Sequence, residues 1–254
     1  MIVEAVSIPG WTVGAFFALL GGHVVFSLIS NRYVEGEQPT GGIRRVHVFI
    51  QAPIFWLAVY FALCLDVFSR QLVSPLYIGL GLLAGHMVFG LSLLITHNSI
   101  KDAWSHFFDF GDLWNFTVDS PIVLLRFLGV AVAEELIWRV SAQKFSVVFL
   151  EQFMSANAAA FTGIVVVAAL FVVVHKHFFE NSFMVSLEFV GFSLLLGVLY
   201  HVTNSFVLVM VIHAMRDIEI AYLEYLMKVD ELGDPELAAR EMDKVYMPSR
   251  QQAK

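Results

Sequence analysis

Glu134, Glu135 and Arg139 stand together in AVAEELIWRV (131–140), three ionisable side chains in an otherwise apolar run. Further on, FVVVHKHFF (171–179) places His175 four residues after Phe171. VIHAMRDIEI (211–220) places Asp217 four residues after His213, with Arg216 and Glu219 beside it. A spacing of four sets two side chains one turn apart on a single helix face. Neighbouring positions differ by about 100° around the axis, so Glu134 and Glu135 cannot do the same job. One glutamate pairs with Arg139, and the other points into a cavity. A carboxylate in a partly desolvated pocket is a good general base, and imidazoles can orient a water or donate to a developing oxyanion. One glutamate and two histidines therefore suit a water-activating hydrolase. They equally suit a divalent metal such as zinc, and the spacing leaves both open.

The setting makes these residues costly. Hydrophobic residues are 58% of the 254, charged residues 15%, and the mean hydropathy is +0.75, far from the balance of a soluble domain. The chain reads as all-α and membrane-embedded, and ionisable groups within a span face a polar cavity or one another. A net charge of -7 without a basic cluster argues against a nucleic-acid partner. The single cysteine, Cys64, excludes an internal disulfide and a cysteine-built metal site.

The elements that must position these groups follow from hydropathy, which predicts about seven spans of roughly 20 residues each. They lie at 11–30, 46–68, 77–96, from Pro121 through the glutamate pair, 157–177, 183–201 and 204–227. The first lacks a basic leader and a small-residue cleavage site, so it is expected to be retained. Gly81 and Gly85 in the third would let another helix approach closely. Between spans three and four, 97–120 mixes aromatics with four aspartates, the composition of an interfacial amphipathic segment. Pro121 suits the first turn of the next helix. The polar tail from Val229 reads as a short surface helix followed by disorder. The organisation expected is helices one to three with the interfacial segment (1–120), a catalytic helical core (121–228) and the tail (229–254). Most Lys and Arg outside the spans fall on one side, and Arg70 and Lys144 on the other. The positive-inside rule then sets the N-terminus outside and the tail in the cytosol of the cell (inner) membrane.

These motifs, in this order, resemble those of the CPBP family, the CAAX-processing and bacteriocin-processing intramembrane proteases that include the type II CAAX prenyl endopeptidases. EELIWR resembles the family's glutamate-glutamate-x-x-x-arginine motif, FVVVH its phenylalanine-x-x-x-histidine motif, and HAMRD its histidine-x-x-x-asparagine or -aspartate motif. GVLYHVTNS, before span seven, is similar to the family's connection there. The resemblance covers about residues 120–220. It implies a glutamic-type peptidase without a required cofactor, in which Glu134 activates water with His175 assisting. Glu135, Arg139 and Phe171 would support the site, and His213 with residue 217 would stabilise the oxyanion. The substrate implied is a membrane-anchored or lipidated peptide or protein in the bilayer. This chain has Asp217 where family members also use asparagine. An ionised aspartate only accepts hydrogen bonds, so Asp217 orients His213, is protonated, or pairs with Arg216.

Plainer readings stand beside this one. Glu134, Glu135 and Arg139 could form a buried ion-pair network that fixes helix packing. His177 reads as a helix-end residue, Arg216 and Glu219 as structural, and His23 and His86 as packing. Intramembrane carboxylates and histidines also build transporters, but no inverted repeat is visible. A catalytically silent immunity-type relative would not need the intact glutamate pair and both histidines.

Overall fold

The structure, a computed structural model, describes residues 8–33, 41–69, 74–96, 101, 104, 107–108, 110–175 and 182–246. It is helical, with no strand among the described residues. The helices are α1 (Gly10–Tyr33), α2 (Gly41–Cys64), α3 (Pro75–Thr96), α4 (Phe110–Asp119) and α5 (Pro121–Glu135). A π-helix (Leu136–Gln143) follows, then α6 (Lys144–Leu150), α7 (Ala156–Val174), α8 (Phe183–Thr203), α9 (Phe206–Leu232) and α10 (Pro235–Tyr246).

Four of these are long and apolar enough to cross a membrane, at Gly10–Ser30, Pro75–Ile95, Ala156–Val174 and Phe183–Thr203. A fifth results if Leu113–Asp119 and Pro121–Leu150, bent by 95° at Ser120, count as one span. The chain is thus an integral membrane protein, and two of the seven expected spans differ from the reading by hydropathy. In the second, the apolar part of the helix is only Val48–Cys64. The chain turns directly afterwards, with Asp66 at φ 51°, a left-handed conformation that aspartate tolerates better than most residues. In the seventh, α9 carries Arg216, Asp217, Glu219 and Glu224 within its apolar stretch, too many charges for an ordinary span.

The chain forms two compact units. The first comprises residues 1–77 and 133–209. Here α1 packs on α2 and α7, and α8 packs on α7 and the π-helix. Phe16, Phe61 and Phe145 join α1, α2 and α6 edge to face, with ring centroids 5.6 and 4.8 Å apart. Such edge contacts suit the aromatic quadrupole. Glycine governs the closest approach: a Cβ at Gly197 of α8 would lie 2.9 Å from Ile164 Cγ2 and 3.0 Å from Gln143 Oε1. The π-helix is held from within and from outside. Ser141 Oγ donates to the Leu136 carbonyl five residues back (2.8 Å), and Gln143 Nε2 donates to the Gly197 carbonyl (2.8 Å).

The second unit comprises residues 78–132 and 210–254. Its core gathers Phe116 of α4, Val123 and Ala131 of α5, Ile218, Tyr222 and Tyr225 of α9, and Ala238, Ala239 and Met242 of α10. Part of the predicted interfacial segment is α4, whose Leu113 and Phe116 are buried while Trp114 and Val118 are exposed; much of 97–109 lies outside the described residues. The predicted surface helix is α10. Gly233, at φ 67°, ends α9, and Asp234 Oδ1 accepts from the backbone N–H groups of Glu236 (2.9 Å) and Leu237 (3.1 Å). Pro235 then occupies the first helical position. Glycine past a helix end and an aspartate cap before proline are the pattern expected between two helices. Residues 247–254, where disorder is expected, lie outside the described residues.

Candidate active site

The two glutamates at the end of α5 separate as their 100° offset requires. Glu135 is completely buried, and its Oε2 lies 3.4 Å from Arg139 Nε, one turn later. Arg139 is also completely buried. Its Nη2 donates to Ser193 Oγ at 3.0 Å, and its guanidinium lies 5.3 Å from the centre of the Phe171 ring. An arginine over an aromatic face is favourable, so a carboxylate, a hydroxyl and a ring hold this cation where water cannot. Trp138 meets Phe171 edge to face at 5.8 Å. The buried glutamate, arginine and Phe171 thus form one packed support across the π-helix, α7 and α8. Short π stretches inside helices often mark functional sites, and this one begins directly after Glu135.

Glu134 is about one-quarter exposed, and its Oε1 lies 3.5 Å from His175 Nε2. The position of His175 follows from the end of α7. Residue 175 has left the helix (φ -88°, ψ 117°), and its N–H bonds the Val172 carbonyl. A helix end leaves carbonyls without their usual partners. The Phe171 carbonyl, which a continuing helix would bond to residue 175, lies 2.6 Å from His175 Nδ1 instead. A carbonyl only accepts, so Nδ1 carries the proton, and Nε2 faces Glu134, with a lone pair when the ring is neutral and with a second N–H when it is protonated. Phe171 and Phe189 flank the ring at 4.5 and 5.2 Å. With the ring neutral, the result is two proton acceptors side by side, one fixed by its own helix end and each about one-quarter exposed. A water between them could donate one proton to each.

In the second unit, His213 is buried on α9, and its Nε2 lies 3.4 Å from Asp217 Oδ2. Arg216 Nη1 lies 3.6 Å from Asp217 Oδ1. The aspartate therefore faces the histidine with one oxygen and the arginine with the other, which fits two of the three roles open to it from sequence. Glu134 and His175 are brought together in the first unit, as are Glu135, Arg139 and Phe171; the second holds His213 with Asp217. His177 lies outside the described residues. Among the described residues no three His, Cys, Asp or Glu side chains are grouped as ligands for one metal ion.

The sequence reading missed one buried pair. His86, read as packing, interacts through Nδ1 with Glu219 Oε1, and its Nε2 lies 2.8 Å from the Phe107 carbonyl. Both side chains are buried, His86 at 7% and Glu219 at 1% exposure. No local spacing joins positions 86 and 219. The available signal was the cost of a buried carboxylate in an apolar helix, which demands a partner.

No curated protein and no solved structure gives a significant match to the chain. A family model does match, over less than half of the chain but across all three motifs. Residues 116–218 match the model of the Rce1-like family of type II CAAX prenyl endopeptidases, and it is to these proteases that this segment is similar.

Proposed function

We propose that this protein is a glutamic-type intramembrane endopeptidase that cleaves a peptide bond near the C-terminus of a prenylated, membrane-anchored protein. The family match supports endopeptidase activity on CAAX substrates in general. The observation that carries the mechanism is the Glu134–His175 pair, with Nδ1 committed to the Phe171 carbonyl and Nε2 directed at the carboxylate. Glu134 takes a proton from water as its oxygen attacks the scissile carbonyl, and His175 holds that water through Nε2. The proton on Glu134 then passes to the leaving amine as the tetrahedral intermediate collapses, so the carboxylate returns to its starting state.

His213 stabilises the oxyanion. With Nε2–H directed at Asp217, the other ring nitrogen can donate only when the ring carries both protons, a form whose charge the adjacent carboxylate offsets. Asp217 acts by orienting and compensating His213 and makes no direct bond to the oxyanion. Glu135, Arg139 and Phe171 fix the end of α5 and the His175 ring. The reaction proposed requires no cofactor. The enzyme is proposed to lie in the cell (inner) membrane, with its N-terminus outside and its tail cytosolic.

The test is hydrolysis of a fluorogenic prenylated CAAX peptide by purified wild type and Glu134→Gln, each with and without a strong chelator. Cleavage lost in Glu134→Gln and indifferent to the chelator is expected. Activity abolished by the chelator and restored by zinc would instead make Glu134, His175 and His213 metal ligands. Full activity in Glu134→Gln would remove Glu134 as the base.

A further inference from the structure

The buried His86–Glu219 pair has no part in the chemistry above, yet it lies on the same helix as His213 and Asp217. Along α9, Ile212, Met215 and Glu219 follow an i, i+3, i+7 spacing and so form one stripe. α3 packs against that stripe. A Cβ on Gly85 would lie 2.7 Å from Met215 Cβ and 3.2 Å from the Ile212 carbonyl, so the two helices approach as closely as glycine allows. One residue on, His86 reaches Glu219, and beyond it Phe89 and Leu93 pack on Ile220 and Leu223. At 3.6 residues per turn, His213 and Asp217 lie roughly 150° around α9 from the centre of this stripe.

Apolar contacts alone fix such a rotation weakly, because they are non-directional. The polar pair supplies the direction. The Phe107 carbonyl only accepts, so His86 Nε2 carries a proton and points at it. Nδ1 and the Glu219 carboxyl then share one proton, as imidazolium with carboxylate or as neutral ring with carboxylic acid. Either form gives a single directed bond. The Phe107 ring, stacked on His86 with centroids 4.3 Å apart, holds the imidazole plane.

We propose that His86 and Glu219 are positioning residues: their bond sets the rotation of α9 and with it the direction in which His213 and Asp217 present their polar atoms. This rests on the oxyanion role assigned to His213. The chemistry of the pair also predicts which substitution spares it. In Glu219→Gln the amide N–H donates to Nδ1 while Nε2–H stays on Phe107, so the bond survives. In Glu219→Ala and His86→Ala it does not.

The experiment compares wild type, His86→Ala, Glu219→Ala and Glu219→Gln by kcat and KM on the prenylated peptide, and by the imidazole NMR signal of His213, identified by its loss in His213→Gln. Displacing a catalytic group by about 1 Å can cost ~10²-fold in rate. The two alanine variants should therefore lose ~10²-fold in kcat with KM little changed, and should shift the His213 signal. Glu219→Gln should restore both. An unchanged His213 signal in folded alanine variants overturns the proposal, as does a rate loss that Glu219→Gln fails to rescue. Should wild type leave the peptide uncut, the proteolytic reading fails by itself, and the His213 signal still decides whether the pair orients α9.

Discussion

Two glutamates adjacent in sequence carry opposite burdens. Glu135 has no exposure and lies beside the equally buried Arg139, whereas Glu134 is about one-quarter exposed beside His175. Removing one partner of a buried ion pair leaves the other charge uncompensated, at a cost of roughly 3–5 kcal/mol. Glu135→Ala should therefore lower the unfolding temperature in detergent steeply, while Glu134→Ala should leave it nearly unchanged and still abolish cleavage. Equal thermal losses would mean that the two share one structural network. Asp217→Asn separates the roles open to Asp217. The amide retains an oxygen that accepts from His213 but not the charge that offsets its doubly protonated ring, so the share of activity that rests on orientation should remain and the rest be lost. A loss as large as the ~10²–10³ expected for removing an oxyanion donor would show that the charge carries most of the role, and an undiminished rate that orientation alone suffices. The different surroundings of the two glutamates were legible in sequence, because four-residue spacing and a 100° offset are properties of any helix. The tautomer of His175 was not. It depends on α7 ending at Val174, so that a carbonyl becomes available to the ring.

Among the elements, the short surface helix expected in the tail is α10, while the π-helix had no sequence counterpart. A widened turn arises from tertiary demands, here the bonds of Ser141 to Leu136 and Gln143 to Gly197, and hydropathy does not register it. The docking of α10 was likewise invisible in a tail read as polar. Tyr246 ends that helix with its hydroxyl donating to Glu224 Oε2 at 2.8 Å, and Arg126 Nη1 donates to its carbonyl at 2.8 Å. Burial, and then the hydrogen bond and charge of Glu224, raise the Tyr246 phenol above its ordinary value; Arg126 opposes them. A group whose value rises on folding stabilises fully below its unfolded pKa, about 10 for tyrosine, and loses that contribution as pH climbs through the raised value. The α10 contact should thus be indifferent to pH near neutrality and weaken only in alkali. Tyr246→Phe should cost about 0.5–1.5 kcal/mol and speed amide exchange within 235–246 at neutral pH. Exchange unchanged from wild type would show that Ala238, Ala239 and Met242 hold α10 without the hydroxyl.

For the whole molecule, the decisive question is whether α9 crosses the bilayer. The proposed orientation depends on it, because α7, α8 and α9 separate the turn at 151–155 from the end of α9. Three crossings put those points on opposite sides, and two put them on the same side. Composition disfavours α9 as an ordinary span, yet its ionisable groups are matched within the fold, His213 with Asp217, Asp217 with Arg216 and Glu219 with His86. Charges that meet one another cost far less in hydrocarbon than charges that face lipid, so hydropathy overstates the barrier for this helix. That favours a crossing. With Cys64 replaced by serine, single cysteines at the exposed positions Ser155 and Glu231 can be treated with a membrane-impermeant maleimide in right-side-out and inverted vesicles. Ser155→Cys should react only in the former and Glu231→Cys only in the latter. Reaction of both in the same vesicles would mean that α9 returns without crossing, and the reverse pattern would invert the orientation inferred from the basic residues. The outcome also bears on how α9 enters the membrane. A helix with a buried carboxylate, Glu219, that meets its partner His86 on α3 is most stable when inserted with that partner already in place.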